Sequence, residues 1–277
     1  MFLVVGANGQ LGNELRLLLQ DKAEYVDKEE LDITDKQVVL SFVKPEKYQA
    51  VINCAAYTAV DNAEDEEDLA YKINVEGPKN LALTGVPLVH ISTDYVFDGR
   101  SCVPYKEDDV PNPKSAYGRT KLAGEQAVLE VADTAVIIRT AWLYSEFGNN
   151  FVKTMRRLGA EKDSLNVVFD QVGTPTYAKD LAQAIVNILP QIKTGTKEVY
   201  HFSNEGVCSW YDFAVDIMKK SNLKCNILPI ESSQYPTKAT RPFYSVLNKA
   251  KIRAKCGVEN RHWQQALQEC IKNMERM

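Results

Sequence analysis

The chain has 277 residues, 45% of them hydrophobic and 25% charged, enough for one large globular unit or one unit with an added lobe. A formal net charge of -4, with no Lys/Arg-rich arm, excludes a basic field for nucleic acid or an anionic membrane and points to a small-molecule ligand. Six scattered cysteines without a C-x-x-C pair, and only three histidines, argue against structural zinc and a disulfide framework and suit a reducing cytoplasm. The start, Met1 followed by FLVVGANG, carries no basic leader and no long apolar run, so neither a signal peptide nor a membrane span is expected.

Phe2 to Val5 is an apolar strand running into Gly6-Ala-Asn-Gly9-Gln-Leu-Gly12 and then an amphipathic helix. Glycines at a strand-to-helix turn let the backbone approach a pyrophosphate, which the positive end of the helix attracts. A second strand, EYV, ends at Asp27, twenty-one residues after Gly6, where a carboxylate would accept hydrogen bonds from an adenosine ribose. Asp32 and Ile33 would then flank the adenine, while Lys28 could hold a 2'-phosphate, which leaves the choice between NADH and NADPH open. A helix over 37–43 precedes a third strand, Ala50 to Asn53, and the small residues Ala55, Ala56 and Thr58 beyond it leave room for a cofactor. Residues 66 to about 84 read as one helix, broken by Thr84-Gly85-Val86-Pro87 before the strand LVHIS.

That strand delivers Thr93 at its carboxyl end, and Tyr117 and Lys121 follow four residues apart on one helical face. A hydroxyl, a phenol and an ammonium in one cleft suit proton transfer to a carbonyl oxygen, the cation being expected to lower the phenol's pKa. Another strand, Ala135 to Arg139, leads to Trp142. The regular alternation predicts a doubly wound parallel sheet of Rossmann type. Further on, a helix over 149–162, a strand over 165–169, a turn around Gly173 and Pro175 and a helix over 178–189 are expected. The strand over 198–203 is read as returning to the main sheet, and helices opened by Ser209 and His262 cover a smaller lobe. The expected division is a dinucleotide-binding unit over 1–143, with 171–203 returning to it, and a smaller substrate-binding lobe over 144–170 and 204–277.

GANGQLG, STDYVF, YGRTK, RTAWLY, GNNFVKTM and DQVGTPT stand in order, and with them the chain resembles the extended short-chain dehydrogenase/reductases, most closely the dTDP-4-dehydrorhamnose reductases. The resemblance implies reduction of dTDP-4-dehydro-β-L-rhamnose at sugar carbon 4 by NADPH or NADH, giving dTDP-β-L-rhamnose for cell-surface polysaccharide. It makes Tyr117 the general acid, Lys121 the ribose contact that tunes it, and Thr93 a donor to the sugar oxygen. It sets Gly9, Gln10 and Leu11, with Gly6 and Gly12, along the pyrophosphate and Ala56, Tyr57 and Thr58 beside the nicotinamide. Tyr95, Trp142, Asn149, Asn150 and Arg241 fall on the sugar nucleotide side, the indole suiting a deoxysugar face and the guanidinium a diphosphate. Some such relatives form magnesium-linked dimers through two glutamates; Glu14 matches the first, but Gln264 stands where the second would fall. No metal is therefore expected, and monomer and homodimer both stay open. The segment from Asn80 to His90 is about one helical turn shorter than in the family. Two other readings share these residues: a nucleotide-sugar epimerase or dehydratase, and a non-catalytic subunit like the β subunit of methionine adenosyltransferase. Elimination lacks its second carboxylate, since Tyr95 follows Asp94.

Overall fold

The computed structural model describes residues 1–276. Five short runs, all but the second rich in Val, Ile and Leu, form the first strands: β1 (Phe2–Val5), followed by α1 (Gln10–Leu19); β2 (Ala23–Val26), followed by α2 (Lys36–Phe42); β3 (Ala50–Asn53), followed by α3 (Glu67–Tyr71) and α4 (Gly77–Ala82); β4 (Leu88–Thr93), followed by α5 (Ala116–Val131); and β5 (Ala135–Thr140). After β5 the elements shorten. They are β6 (Leu143–Tyr144), α6 (Phe151–Glu161), β7 (Ser164–Val168), β8 (Val172–Gly173), β9 (Thr176–Tyr177) and α7 (Ala178–Ile188), then β10 (Lys197–His201), β11 (Cys208–Ser209), α8 (Trp210–Lys220), β12 (Asn226–Ile230), α9 (Ala250–Cys256) and α10 (Trp263–Met274).

The main sheet runs β2-β1-β3-β4-β5-β10, parallel throughout, so the strand over 197–201 does return to its edge beside β5. Parallel strands need both faces covered. Val4, Ile52, Val89 and Ile138 meet α1 and α7 on one face, while Leu3, Val5, Val51 and Leu88 lie in a second cluster on the other with Val39, Leu81 and Val128 from α2, α4 and α5. A third cluster joins α6, α8 and α10 over the two-stranded β7–β12 ribbon, with Phe213 and Trp263 at its centre.

The chain changes direction across the sheet between β1 and β3, where an open parallel sheet forms a crevice at its carboxyl edge. Here the turns after the two strands touch. Gly6 has φ +73, and a Cβ on it would lie 2.6 Å from the backbone nitrogen of Ala55. Only glycine gives both the backbone angle and the approach.

The helix expected over 66–84 is instead two short α-helices joined by a π-helical turn, Lys72–Glu76. Widening the turn aims Asn74 sideways: its Oδ1 accepts from the backbone N–H of Tyr57 at 2.9 Å, and its Nδ2 donates to Thr120 of α5 at 3.1 Å. The loop after β3 is thus tied to α5. The shortened segment closes as a tight turn, with Gly85 at φ +76 and the Thr84 hydroxyl donating to the Leu81 carbonyl at 2.7 Å.

Candidate active site

Two adjoining cavities open along the carboxyl edge of the sheet and share Gly9, Cys54 and Ala56 as their common wall. The first, of about 340 Å³, is lined by Gly6, Asp27, Asp32, Ile33 and Ala55, and Lys28 and Lys72 also face it. The second, of about 480 Å³, gathers Gln10, Leu11, Gly12 and Thr58 with Thr93, Tyr95, Tyr117, Lys121, Trp142 and Asn149. Residues spread over more than 140 positions of sequence therefore face one continuous crevice.

The first cavity has the features of a dinucleotide cradle. The ten-residue α1 follows Gly9 as its N-cap, which has no side chain to accept from a backbone N–H, so the first turn's donors and the positive helix end are left to a ligand. The carboxylate of Asp27 is more engaged than its sequence position suggests: Oδ2 accepts from the backbone N–H of Asn8 at 2.9 Å and Oδ1 from that of Lys28 at 2.8 Å. Asp27 thus also pins the glycine turn to the end of β2. The hydroxyl and backbone N–H of Thr34 hold the carboxyl of Asp32 below the usual carboxylate range.

In the second cavity Thr93, at the end of β4, donates to Asp94 Oδ1 at 3.0 Å and accepts from the backbone N–H of Tyr95 at 3.2 Å. Asp94 is buried, and its Oδ2 meets no partner among the described residues. Burial pushes its carboxyl up to about 6, against the opposing hydroxyls of Ser245 and Thr93. Tyr117 stands in the first turn of α5, which Ser115 caps by accepting from the N–H of Gly118 at 3.1 Å. Its ring meets Tyr95 edge-on, 5.5 Å between centroids.

The expectation that Lys121 lowers the phenol's pKa is corrected. Burial drives Tyr117 well above the ordinary tyrosine value, and the neighbouring Thr93 hydroxyl only tempers the rise. Lys121, 2% exposed, turns its ammonium to the backbone carbonyl of Ile91 at 2.7 Å. Burial pulls that lysine down to about 8, against the pull of Glu125. A phenol is protonated near neutrality with or without this rise, as a proton donor must be, and the rise makes it the weaker acid until charge develops beside it.

Trp142 is strained as well as stacked. Its backbone lies in the left-handed region at φ +48, rarely tolerated by a bulky residue, and its indole lies face to face on Trp210 at 3.6 Å. Three predicted residues stand behind the cavity surface. Tyr57 turns its hydroxyl to Glu66; Asn150 caps α6 and donates to Gln10 Oε1 at 3.0 Å; Arg241 pairs with Asp61 at 2.6 Å and donates to the Tyr95 hydroxyl at 3.3 Å. Asn150 thereby joins the loop after β6 to the start of α1. The sequence reading assigned no role to Asn74, Cys54, Lys72 or Gly148, all of which tie or line the crevice. Only the G-N-N run around Gly148 carried a signal.

Glu14, the residue matching a magnesium-bridging glutamate, is 2% exposed inside the chain and accepts from the Ser145 hydroxyl at 2.7 Å. Among the described residues no cluster of three or more His, Cys, Asp or Glu could hold a metal, and no helix is long and apolar enough to cross a membrane.

A parallel sheet with a glycine turn at its crossover, beside a threonine, a tyrosine and a lysine on the next strand and helix, defines an extended short-chain dehydrogenase/reductase. The family described as RmlD substrate binding domain matches residues 1–276. A dTDP-4-dehydrorhamnose reductase from Aggregatibacter actinomycetemcomitans is 42% identical over 283 residues, covering 96% of each chain. The crystal structure of a dTDP-4-dehydrorhamnose reductase from Clostridium acetobutylicum superposes with a TM-score of 0.95 at 45% identity, covering 99% of each chain. That of the Bacillus anthracis reductase, in complex with NADP, superposes with 0.93 at 42% identity and 98% of each chain. The chain belongs to the dTDP-4-dehydrorhamnose reductase family.

Proposed function

We propose that this crevice reduces dTDP-4-dehydro-β-L-rhamnose to dTDP-β-L-rhamnose, the activity its relatives' names state, as a step toward cell-surface polysaccharide, in keeping with a spore coat polysaccharide biosynthesis protein 43% identical to this chain. The observation that carries the reading is the meeting of Thr93, Tyr117 and Lys121 at the inner end of a crevice whose outer end is a dinucleotide cradle. A reduced nicotinamide dinucleotide, NADPH or NADH, supplies the hydride when bound. Gly6, Gly9, Gln10, Leu11 and Gly12 line the path of its pyrophosphate, and Asp27, Asp32 and Ile33 that of its adenosine. Ala55, Ala56 and Thr58 form the wall next to the reacting ring, and Tyr57 supports that wall through Asn74.

The chain's own residues then have separable tasks. Tyr117, protonated near neutrality, gives its proton to the sugar oxygen as charge develops there. The Thr93 hydroxyl orients that oxygen once it turns from Asp94. Lys121 replaces the proton Tyr117 loses, and an ammonium that titrates at about 8 releases it readily. Trp142, braced by Trp210, offers an apolar face to the deoxysugar, with Tyr95 and Asn149 at its edges. Arg241 reaches the same side through Tyr95 and suits the diphosphate, with Asn150 holding Gln10 in place. Residues 144–170 and 204–277 supply the sugar side in this reading, and 1–143 with 171–203 the dinucleotide side.

The purified protein, given NADPH or NADH with the 4-keto sugar nucleotide, is expected to oxidise one cofactor per sugar reduced. An epimerase or dehydratase would recycle its cofactor and a non-catalytic subunit would consume none, so either result would sink the proposal.

A further inference from the structure

Behind Lys121 lies a second polar chain that the proposed reaction leaves unused. The lysine Nζ is 3.4 Å from Nε2 of His90. Nδ1 of His90 is 3.1 Å from the side-chain nitrogen of Asn53, and Oδ1 of Asn53 accepts from the backbone N–H of Ala55 at 3.1 Å. Asn53 and His90 are register partners on β3 and β4, and both are 0% exposed. Among the three histidines of the chain, His90 alone touches a residue of the proposed proton path.

The direction of every bond in this chain follows from its first link. A backbone N–H can only donate, so the oxygen of Asn53 must face Ala55 and its NH₂ must face the imidazole. The NH₂ can only donate in turn, which requires a lone pair on Nδ1. Burial, reinforced by the Lys121 charge, keeps the ring neutral, so its single proton sits on Nε2 and points at the lysine. A ring N–H offers nothing to an ammonium but can donate to a neutral amine.

We propose that Asn53 and His90 are positioning residues for Lys121: by presenting a ring N–H rather than a lone pair to its nitrogen, they favour the neutral amine and make Lys121 a ready proton donor. The other charged and titratable groups around Lys121 are few. Glu125 lies one turn along the same helix, committed to Arg139 of β5 and Ser92 of β4, and Tyr117 lies one turn back. From the π-helical turn against α5 comes Asn74, which meets Thr120. The drop of Lys121 to about 8 agrees in direction with the geometry. The tautomer stands by itself; its kinetic consequence rests on the role given to Lys121 above.

The test is a two-bond ¹H–¹⁵N spectrum of the ¹⁵N-histidine-labelled enzyme, with the His90 signals assigned by their loss in His90→Gln. The wild type is expected to carry the ring proton on Nε2, and a proton on Nδ1 would overturn the proposal. Asn53→Asp replaces the NH₂ by an acceptor of the same shape, so the ring proton should move to Nδ1 and a lone pair should face Lys121. The alkaline limb of kcat, at saturating NADPH and sugar, should then rise by about one pH unit or more, because the ammonium gains an acceptor. A ring that has switched tautomer with the limb unmoved would remove the pair's influence on Lys121. Lys121→Met separately tests the underlying role, since it should lower turnover and weaken NADPH binding whatever the tautomer.

Discussion

The helix that carries Tyr117 and Lys121 is clamped to the sheet by a buried ion pair, and cutting it should be among the costliest single changes in the molecule. Glu125, one turn beyond Lys121, accepts from Arg139 Nε at 2.9 Å and from a terminal guanidinium nitrogen at 2.7 Å; it also accepts from the Ser92 hydroxyl. The side chains are 3% and 5% exposed. In Glu125→Ala the guanidinium keeps its place over the Phe97 ring, 5.1 Å from the centroid, and two long contacts, 3.5 Å to the Glu107 carbonyl and 3.5 Å to His201 Nε2, but no carboxylate. A buried charge stripped of its partner costs about 3–5 kcal/mol. At about 2–4 °C per kcal/mol for a protein approaching this size, the melting temperature should fall by about 10 °C. The double variant Glu125→Leu with Arg139→Met removes both charges and should recover most of that loss, since an ion pair of this kind is roughly matched by apolar packing. Urea unfolding followed by circular dichroism measures all three proteins. A loss below about 1 kcal/mol in Glu125→Ala, or a double variant as unstable as the single one, would refute the clamp.

Cofactor choice should hang on the rim of the adenosine cavity, where Lys28→Ala should shift kcat/KM toward NADH and Asp27→Ala toward NADPH. With a carboxylate and an ammonium of comparable worth at that exposed rim, the wild-type preference should stay below about tenfold, since tenfold corresponds to ~1.4 kcal/mol; unchanged ratios in both variants would place the ribose elsewhere. Trp142→Ala should raise KM for the sugar nucleotide while leaving that for NADPH within about twofold, and equal effects on both would assign the indole to general packing. Asp94 titrates at about 6 in the folded chain against the ordinary 3.8. Between those values the folded state holds the extra proton, so the contribution of Asp94 to stability should fall as pH rises from about 4 to 6. Other carboxylates, Glu14 among them, also titrate with shifted pKa, so the test is the difference: the melting temperature of wild type minus that of Asp94→Asn should fall between about pH 4 and 6, and parallel curves would place the titration elsewhere.

The central strands were legible because each is a short apolar run ending at small or polar residues, and parallel pairing demands such burial. The edge strand over 197–201, KEVYH, is not an apolar run; it was legible from the strand-forming Val199 and Tyr200 leading to Phe202. Other features depend on contacts the sequence does not display. Nothing in Lys72–Glu76 marks a π-helical turn; it is fixed by packing against α5, where a Cβ on Gly124 would fall 2.0 Å from the Asn74 carbonyl oxygen. The strand over Asn226–Ile230 was hidden by Pro229, tolerated because that strand pairs only with β7 in a two-stranded ribbon. Within the crevice, the residue types at the expected spacing were enough to gather Thr93, Tyr117 and Lys121. The direction of the phenol's pKa shift was misjudged, because burial outweighs a cation that faces a carbonyl instead. The engagement of Asp27 by two backbone amides, and the Asn53–His90 pair, arise from register and turn geometry that no local pattern announces.

The central claim is that Tyr117 gives the proton. Tyr117→Phe keeps the ring and its edge contact with Tyr95 and removes only the hydroxyl. Turnover of the 4-keto sugar nucleotide at saturating NADPH should fall by ~100- to 10,000-fold, the usual worth of a general acid, while the dissociation constant for NADPH stays within about twofold of wild type. Turnover within a few-fold of wild type, in a protein that still binds NADPH, would contradict the account.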